Sequence, residues 1–135
     1  MTMGDSVTTE APITHREEYT RHYKKGDTIF LKGDLGNCMY IVIAGQVEIR
    51  LDDLVIDIIN PGGMFGEMGI IEKAPRAATA VASAPCSVLV IDEKHFLELV
   101  EEQPFFALKV LRTAMGRVRK AYKLVPGRAH SDTTD

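Results

Sequence analysis

From Gln46 to Leu51 polar and apolar side chains alternate without a break, so Val47, Ile49 and Leu51 share one face of a half-exposed strand. Around this segment short apolar runs recur between turn signals. Tyr19–Tyr23 is followed by Lys25-Gly26-Asp27, Thr28–Leu31 by Lys32-Gly33-Asp34-Leu35-Gly36-Asn37, and Cys38–Ala44 by Gly45. Asp52-Asp53 supplies a hairpin turn, Leu54–Ile59 is expected to return as a more buried strand, and Pro61-Gly62-Gly63 ends it. Two further strands are expected near Ala77–Ala82 and Ser87–Ile91, split by Ala84-Pro85. Runs of this length at this spacing are the signature of an all-β unit, with Gly26, Gly33 and Gly45 at turns that need positive φ.

The period changes at Asp92. Asp92-Glu93-Lys94-His95 predicts a helix start, with one acid as N-cap and another in the first turn, where both suit the helix dipole. Pro104 opens a second helix. Along it Leu108, Leu111, Met115, Val118, Tyr122 and Val125 fall at steps of three and four, a narrow seam of heptad type. Such a seam packs either on the chain's own sheet or on a partner helix, and Gly116 inside it weakens the helix by about 1 kcal/mol relative to alanine. About eight strands followed by two helices predict a mainly β fold, an eight-stranded jelly-roll β-barrel with flanking α-helices, the last two at the C-terminus. Residues 1–12 and 126–135 have the composition of disordered tails, leaving one domain over residues 13–125.

A chain of 135 residues is long enough to bury one core without metals or crosslinks. Its net charge of −3 is close to balance and gives no general case for nucleic acid. The basic residues are nevertheless clustered. Lys109, Arg112, Arg117, Arg119, Lys120, Lys123 and Arg128 occur between Gln103 and Ser131 with no acid among them. Toward a helix C-terminus such a cluster reads as a solvated end complementing the dipole, and one basic surface supplies no sequence readout, so direct DNA binding is not expected. Cys38 and Cys86 are two unclustered thiols among apolar neighbours, which predicts small buried hydrophobes in a reducing cytoplasm rather than a disulfide. No apolar run approaches the roughly 20 residues of a membrane span, so no membrane contact is expected.

The chemistry concentrates between Phe65 and Thr79, in the run Phe-Gly-Glu-Met-Gly-Ile-Ile-Glu-Lys-Ala-Pro-Arg-Ala-Ala-Thr. Gly66 and Gly69 allow backbone N–H groups to converge on an anion, and the planar fork of Arg76 can donate two parallel hydrogen bonds to phosphate oxygens. Glu67 would repel phosphate, so it needs a different partner. A carboxylate only accepts, and a ribose hydroxyl is a natural donor for it. The bland alternative is a mutual Glu67–Arg76 salt bridge pinning a surface turn, worth under about 1 kcal/mol.

These residues, taken with Tyr23-Lys24-Lys25-Gly26-Asp27-Thr28-Ile29-Phe30, Lys32-Gly33-Asp34, Met39-Tyr40-Ile41-Val42, Gly45-Gln46-Val47 and Pro61-Gly62, resemble in order the cyclic-nucleotide-binding domains of protein kinase A regulatory subunits, catabolite-activator-type regulators and cyclic-nucleotide-gated channels. The resemblance covers roughly residues 19–122. It implies that Glu67 accepts from the ribose 2′-hydroxyl, that Arg76 pairs with the cyclic phosphate, and that the amides of Gly69 and Ala77 assist from a short helix inside the cassette. Gly66, Met68 and Ala78 complete that cassette, and Ile49 belongs to the apolar wall beside the base. Ala77 stands where family members preferring cGMP often carry threonine, so the implied ligand is cAMP, with cGMP less favoured, and no cofactor is implied. Gly63 replaces a frequent aspartate and is read as a turn variant.

No kinase-inhibiting segment, channel span or DNA-reading helix pair accompanies these motifs, so the effector is expected to be a protein in trans or on a longer protein. Arg119 or Tyr122 is a candidate to cap the base, although Tyr122 fits the helix seam better. A homodimer through the last helix is a further expectation. Two other readings compete with this one. A cupin-type metalloenzyme would need clustered ligands, but His15, His22, His95 and His130 stand apart. An interaction module of the same fold that no longer binds nucleotide would be expected to have lost Glu67 or Arg76. The chain is therefore expected to be a non-enzymatic, stand-alone cyclic-nucleotide sensor.

Overall fold

The structure, a computed structural model, describes residues 16–123. The tails expected at 1–12 and 126–135, and the outer ends of the 13–125 domain, lie outside the described residues. After a short 3₁₀ turn at Arg16–Tyr19 come β1 (Thr20–Tyr23), β2 (Thr28–Phe30), β3 (Cys38–Ala44), β4 (Val47–Leu51), β5 (Leu54–Ile59) and β6 (Met64–Phe65). Helix α1 (Met68–Ile71) interrupts the strands, and β7 (Thr79–Ala82), β8 (Cys86–Asp92), α2 (Glu93–Glu102) and α3 (Phe105–Lys123) follow. The strands form two antiparallel four-stranded sheets, in the orders β1-β8-β3-β6 and β2-β7-β4-β5. The fold is thus mainly β with flanking helices, and its eight strands are arranged as a roll of two facing sheets rather than one closed barrel.

Strand composition follows what covers each face. In β3, Tyr40 and Val42 pack between the sheets with Val47, Ile59, Phe65, Ala80, Ala82, Cys86 and Val88. The opposite face of the same strand contributes Met39 to a second cluster with Met64, Leu89, Ile91, Leu99 of α2 and Val110 of α3. A sheet covered on both sides needs apolar residues at successive positions, which explains the unbroken run Cys38–Ala44. The second sheet contributes no residue to that second cluster. Along its strand β4 burial falls off rather than alternating, from Val47 fully buried through the partly buried Glu48, Ile49 and Arg50 to Leu51, which was expected on the inner face and is 38% exposed at the hairpin tip.

Strand β5 departs from the expectation of a more buried strand. Leu54, Val55, Ile56 and Ile58 are 66, 40, 36 and 49% exposed, and only Ile59 is in the core. The reason is topological: β5 is an edge strand paired with β4 alone, so an apolar run that would suit a central strand lies at the surface. Sequence composition carries no label for sheet position. The strand at Met64–Phe65 was not foreseen either, because two residues after Pro61-Gly62-Gly63 are too few to show a period.

The turns and helix starts follow the sequence signals. Asp52 adopts φ 56° in the β4–β5 hairpin, and Gly26, Gly33 and Gly45 have φ of 92°, 92° and 87°. At α2 the Asp92 carboxylate accepts from the His95 backbone N–H at 2.9 Å, the N-cap geometry. That bond, more than the neighbouring His95 ring and Lys94, holds the Asp92 pKa below the usual carboxylate value. Cys38 and Cys86 are free thiols, Cys86 buried and Cys38 only partly so.

Loss of the cap has a defined cost. Asp92→Ala lowers the unfolding free energy by about 1 kcal/mol in urea titrations, whereas Asp92→Asn, which still accepts from the same N–H, stays near wild type at neutral pH. Because the native pKa is depressed, the ionised cap stabilises above the unfolded pKa of Asp and its contribution disappears as pH falls through the native value. Equal losses in the two variants would show that Asp92 acts through charge and not through the cap.

Candidate functional site

Arg76 lies on the segment between α1 and β7, and the fold buries it to 6% exposure. Its Nη1 donates to the Gly66 carbonyl at 2.9 Å and its Nη2 to the Cys38 carbonyl at 2.8 Å, with the Cys38 Sγ 3.6 Å from Nη2. The guanidinium carbon sits 4.3 Å from the centroid of the Phe30 ring and 5.6 Å from that of Tyr40. Burial, followed by the Cys38 contact, pushes the Tyr40 hydroxyl pKa well up, so this phenol is uncharged beside the cation. Among the described residues no carboxylate forms an ion pair with Arg76. A buried cation satisfied only by carbonyl dipoles and a ring face keeps its full charge for an anion.

Glycines make this placement possible. A Cβ built on Gly36 would overlap the Arg76 Nε and Cζ, and one on Gly69 would come within 2.7 Å of Nη1. Gly66 combines φ 77° with a would-be Cβ 3.0 Å from Nη1 and 3.2 Å from the Tyr40 ring, so both its conformation and its space exclude a side chain. The carbonyl it turns toward the guanidinium is thereby fixed. The backbone of the loop before β3 and that of the cassette together form a close-fitting cradle.

Glu67 is 3% exposed and stands at the N-cap of α1, yet its side chain makes no capping bond. It faces α3 instead. Arg117 Nη1 donates to Glu67 Oε1 at 2.8 Å, Arg117 Nη2 donates to the Met64 carbonyl at 2.6 Å, and Arg117 Nε lies 3.4 Å from Asp57 Oδ2. Asp57 is the cross-strand partner of Ile49, so the two share the inner face of the second sheet. A mutual Glu67–Arg76 bridge on a surface turn, the bland alternative from sequence, is absent: the acid and the arginine are both buried, and each has other partners.

The cassette residues named from sequence are brought together around this point. Gly69 is buried, and its N–H closes the turn onto the Gly66 carbonyl at 3.1 Å. Met68 is partly buried, Ala78 is in the core at 9% exposure, and Ala77, next to Arg76, is exposed. Ile49 packs against the cluster that contains Tyr40 and Phe65. The helix that begins at Met68 has only four residues, so its contribution is the turn it closes.

Arg117 was missed as a site residue, because the basic cluster at the end of α3 was expected to be a solvated helix end. Arg119 and Lys120 are exposed as expected, but Arg117 is turned inward. Helical spacing held the signal: Val110, Ala114 and Arg117 follow one another at four and three residues, and the first two are 0 and 4% exposed. Arg119 makes no recorded contact with the site, and the seam residues Leu108, Leu111, Met115, Val118 and Tyr122 are 37 to 54% exposed, with Val125 outside the described residues. Gly36 and Phe30 were likewise seen only as parts of a turn and of a strand. Their role depends on a contact with Arg76 forty or more positions away in the chain, which no local pattern records.

The chain is 31% identical over 106 residues to the cyclic AMP receptor protein of Thermus thermophilus, a match covering 75% of this chain and 49% of that protein. It is 39% identical over 75 residues to the cAMP-dependent protein kinase regulatory subunit of Yarrowia lipolytica, covering 56% of this chain and 20% of the relative. The chain thus spans about half the length of the first relative and a fifth of the second. A solved structure from a cyclic-GMP-dependent signalling pathway of bacterial phytopathogenesis superposes with a TM-score of 0.68 at 27% identity, covering 85% of this chain and 97% of that one. The cyclic nucleotide-binding domain family matches residues 20–103, which is more than half of the sequence and includes both buried charges, and the chain belongs to that family.

Proposed function

We propose that the chain is a non-enzymatic cytoplasmic sensor that binds cAMP, with cGMP less favoured, and conveys occupancy to an effector protein through α3. The observation that carries this reading is Arg76, a guanidinium 6% exposed that hydrogen-bonds to two carbonyls and pairs with no carboxylate among the described residues. Its charge is best matched by an anion of phosphate geometry. Nine residues before it, Glu67 offers an acceptor for a ribose hydroxyl, and the amides of Gly69 and Ala77 lie in the same cassette. Ile49 and the apolar surface about Tyr40 and Phe65 supply the wall expected beside a base. Relatives named for cyclic AMP favour the adenine nucleotide, as does alanine at position 77, and the cyclic-GMP-linked structural relative keeps the guanine nucleotide as the alternative. Two free thiols suit a reducing compartment, and no described helix is long and apolar enough to cross a membrane.

A second copy of the chain is the first partner to test, since the exposed seam of α3 from Leu108 to Tyr122 has the three-and-four spacing of a helix–helix contact. Sedimentation velocity at micromolar concentration is expected to show a dimer that Met115→Glu converts to monomer. A wild-type monomer with and without nucleotide would remove the dimer.

Calorimetric titration of the purified chain is expected to show binding of cAMP and weaker binding of cGMP, each with a rise in Tm. Absence of heat and of thermal stabilisation with both nucleotides would leave an interaction module of the same fold as the surviving account. Arg76→Lys keeps the charge but loses the fork, and weakens cAMP binding by roughly 1.5–3 kcal/mol. Unchanged affinity in that variant would place the phosphate elsewhere.

A further inference from the structure

We propose that Asp57 selects the base: its carboxylate accepts a hydrogen bond from the 6-amino group of adenine and disfavours the 6-oxo group of guanine. The inference rests on the cyclic-nucleotide reading and adds to it the residue that tells one purine from the other. Asp57 is the cross-strand partner of Ile49, so its side chain stands on the inner face beside the apolar wall, while its neighbour Ile58 is 49% exposed. One guanidinium relates Asp57 to the ribose acceptor. Arg117 Nη1 lies 2.8 Å from Glu67 Oε1 and Arg117 Nε lies 3.4 Å from Asp57 Oδ2, so the two carboxylates border the same small planar group. The Arg76 guanidinium takes its contacts from β2, β3 and the cassette, and among the described residues none comes from β5. With phosphate on Arg76 and ribose on Glu67, the base is the part of the nucleotide left to meet Asp57.

An apolar wall holds either purine, so discrimination needs a polar group. Asp57 supplies one with acceptor capacity to spare. Its Oδ1 accepts from the Ile58 backbone N–H at 2.9 Å, and Arg117 Nε, at 3.4 Å from Oδ2, is farther than an ordinary N–H···O bond. Two carboxylate oxygens offer about four lone-pair sites, which leaves room for a further donor. Adenine carries an amino donor at position 6, where guanine carries an oxo acceptor. An oxo group set against a carboxylate leaves two acceptors facing each other in a side-chain environment only 29% exposed, and unpaired polar groups there are costly. Alanine at position 77 removes a reason to prefer guanine, whereas Asp57 gives a reason to prefer adenine. An inward-pointing acid also guards an edge strand against pairing, and an acid beside Arg117 also helps to hold α3. Either of those roles would act on every nucleotide alike, and only a contact to the base depends on the group at position 6.

A ligand and protein double-mutant cycle tests this. Three cyclic 3′,5′-monophosphates are titrated into wild type, Asp57→Ala and Asp57→Asn: cAMP, the purine riboside analogue with hydrogen at position 6, and the inosine analogue with oxygen there. Wild type is expected to bind the 6-hydrogen analogue about tenfold more weakly than cAMP, and the 6-oxo analogue more weakly still. In Asp57→Ala the affinity for cAMP is expected to fall to that of the 6-hydrogen analogue, which itself changes little. Asp57→Asn keeps an acceptor oxygen and adds a donor, so it is expected to retain cAMP and to gain affinity for the 6-oxo analogue. This variant carries the test if the alanine variant does not fold. Equal loss for all three ligands in the variants, or unchanged ratios between them, would assign Asp57 to the edge or to α3 and overturn the base contact. Wild type that binds cAMP and the 6-hydrogen analogue equally would overturn it too, with the cyclic-nucleotide reading intact. Wild type that binds none of the three would overturn both.

Discussion

The structure depends on a cation held in the interior by carbonyls. Arg76 is surrounded by Phe30, Tyr40 and the backbone of Gly66 and Cys38, with glycine at positions 36, 66 and 69, where a side chain would collide with it. A fold selected for stability alone gains nothing from an interior charge that lacks a counter-ion, since removing a guanidinium from water costs several kcal/mol that carbonyl dipoles only partly return. β2, β3 with the segment before it, and the cassette all converge on this one side chain. Their shared geometry makes sense when the charge is kept in place for an anion that arrives later.

The second buried charge is arranged in the opposite way. Glu67 has its counter-ion, and that counter-ion comes from the helix packed on the outside of the first sheet. The same α3 that closes the second core cluster through Val110 therefore also reaches the cassette through Arg117. A sensor needs a mobile element whose energy differs with and without ligand. One anchored to a site residue by a few polar contacts meets that need better than one sealed into the core. The apolar seam left exposed on the other side of α3 means that the helix has two surfaces to balance, one toward its own domain and one toward whatever it meets.

Local pattern made much of this legible. The strand at Val47–Leu51, the turn glycines and the Asp92 cap each depend on residues close in sequence, and each is found where expected. What escaped depends on contacts between distant segments. The exposure of Leu54–Ile58 follows from the place of β5 at a sheet edge, and the inward turn of Arg117 follows from how α3 lies on Met64 and Glu67. A run of basic residues on a helix looks alike whether all are solvated or one is engaged. The distinction came from the helical phase of Val110, Ala114 and Arg117, which is visible in the sequence only once the buried side of the helix is known.

The central claim is that Arg76 holds a phosphate and Glu67 a ribose hydroxyl of the same nucleotide. A crystal structure of the chain grown with cAMP tests it most directly. The account predicts phosphate oxygens about 3 Å from the Arg76 guanidinium and the 2′-hydroxyl at similar distance from Glu67, with Arg117 still on the other carboxylate oxygen. Nucleotide bound away from the cassette, with Arg76 still bonded only to the Gly66 and Cys38 carbonyls, would contradict it.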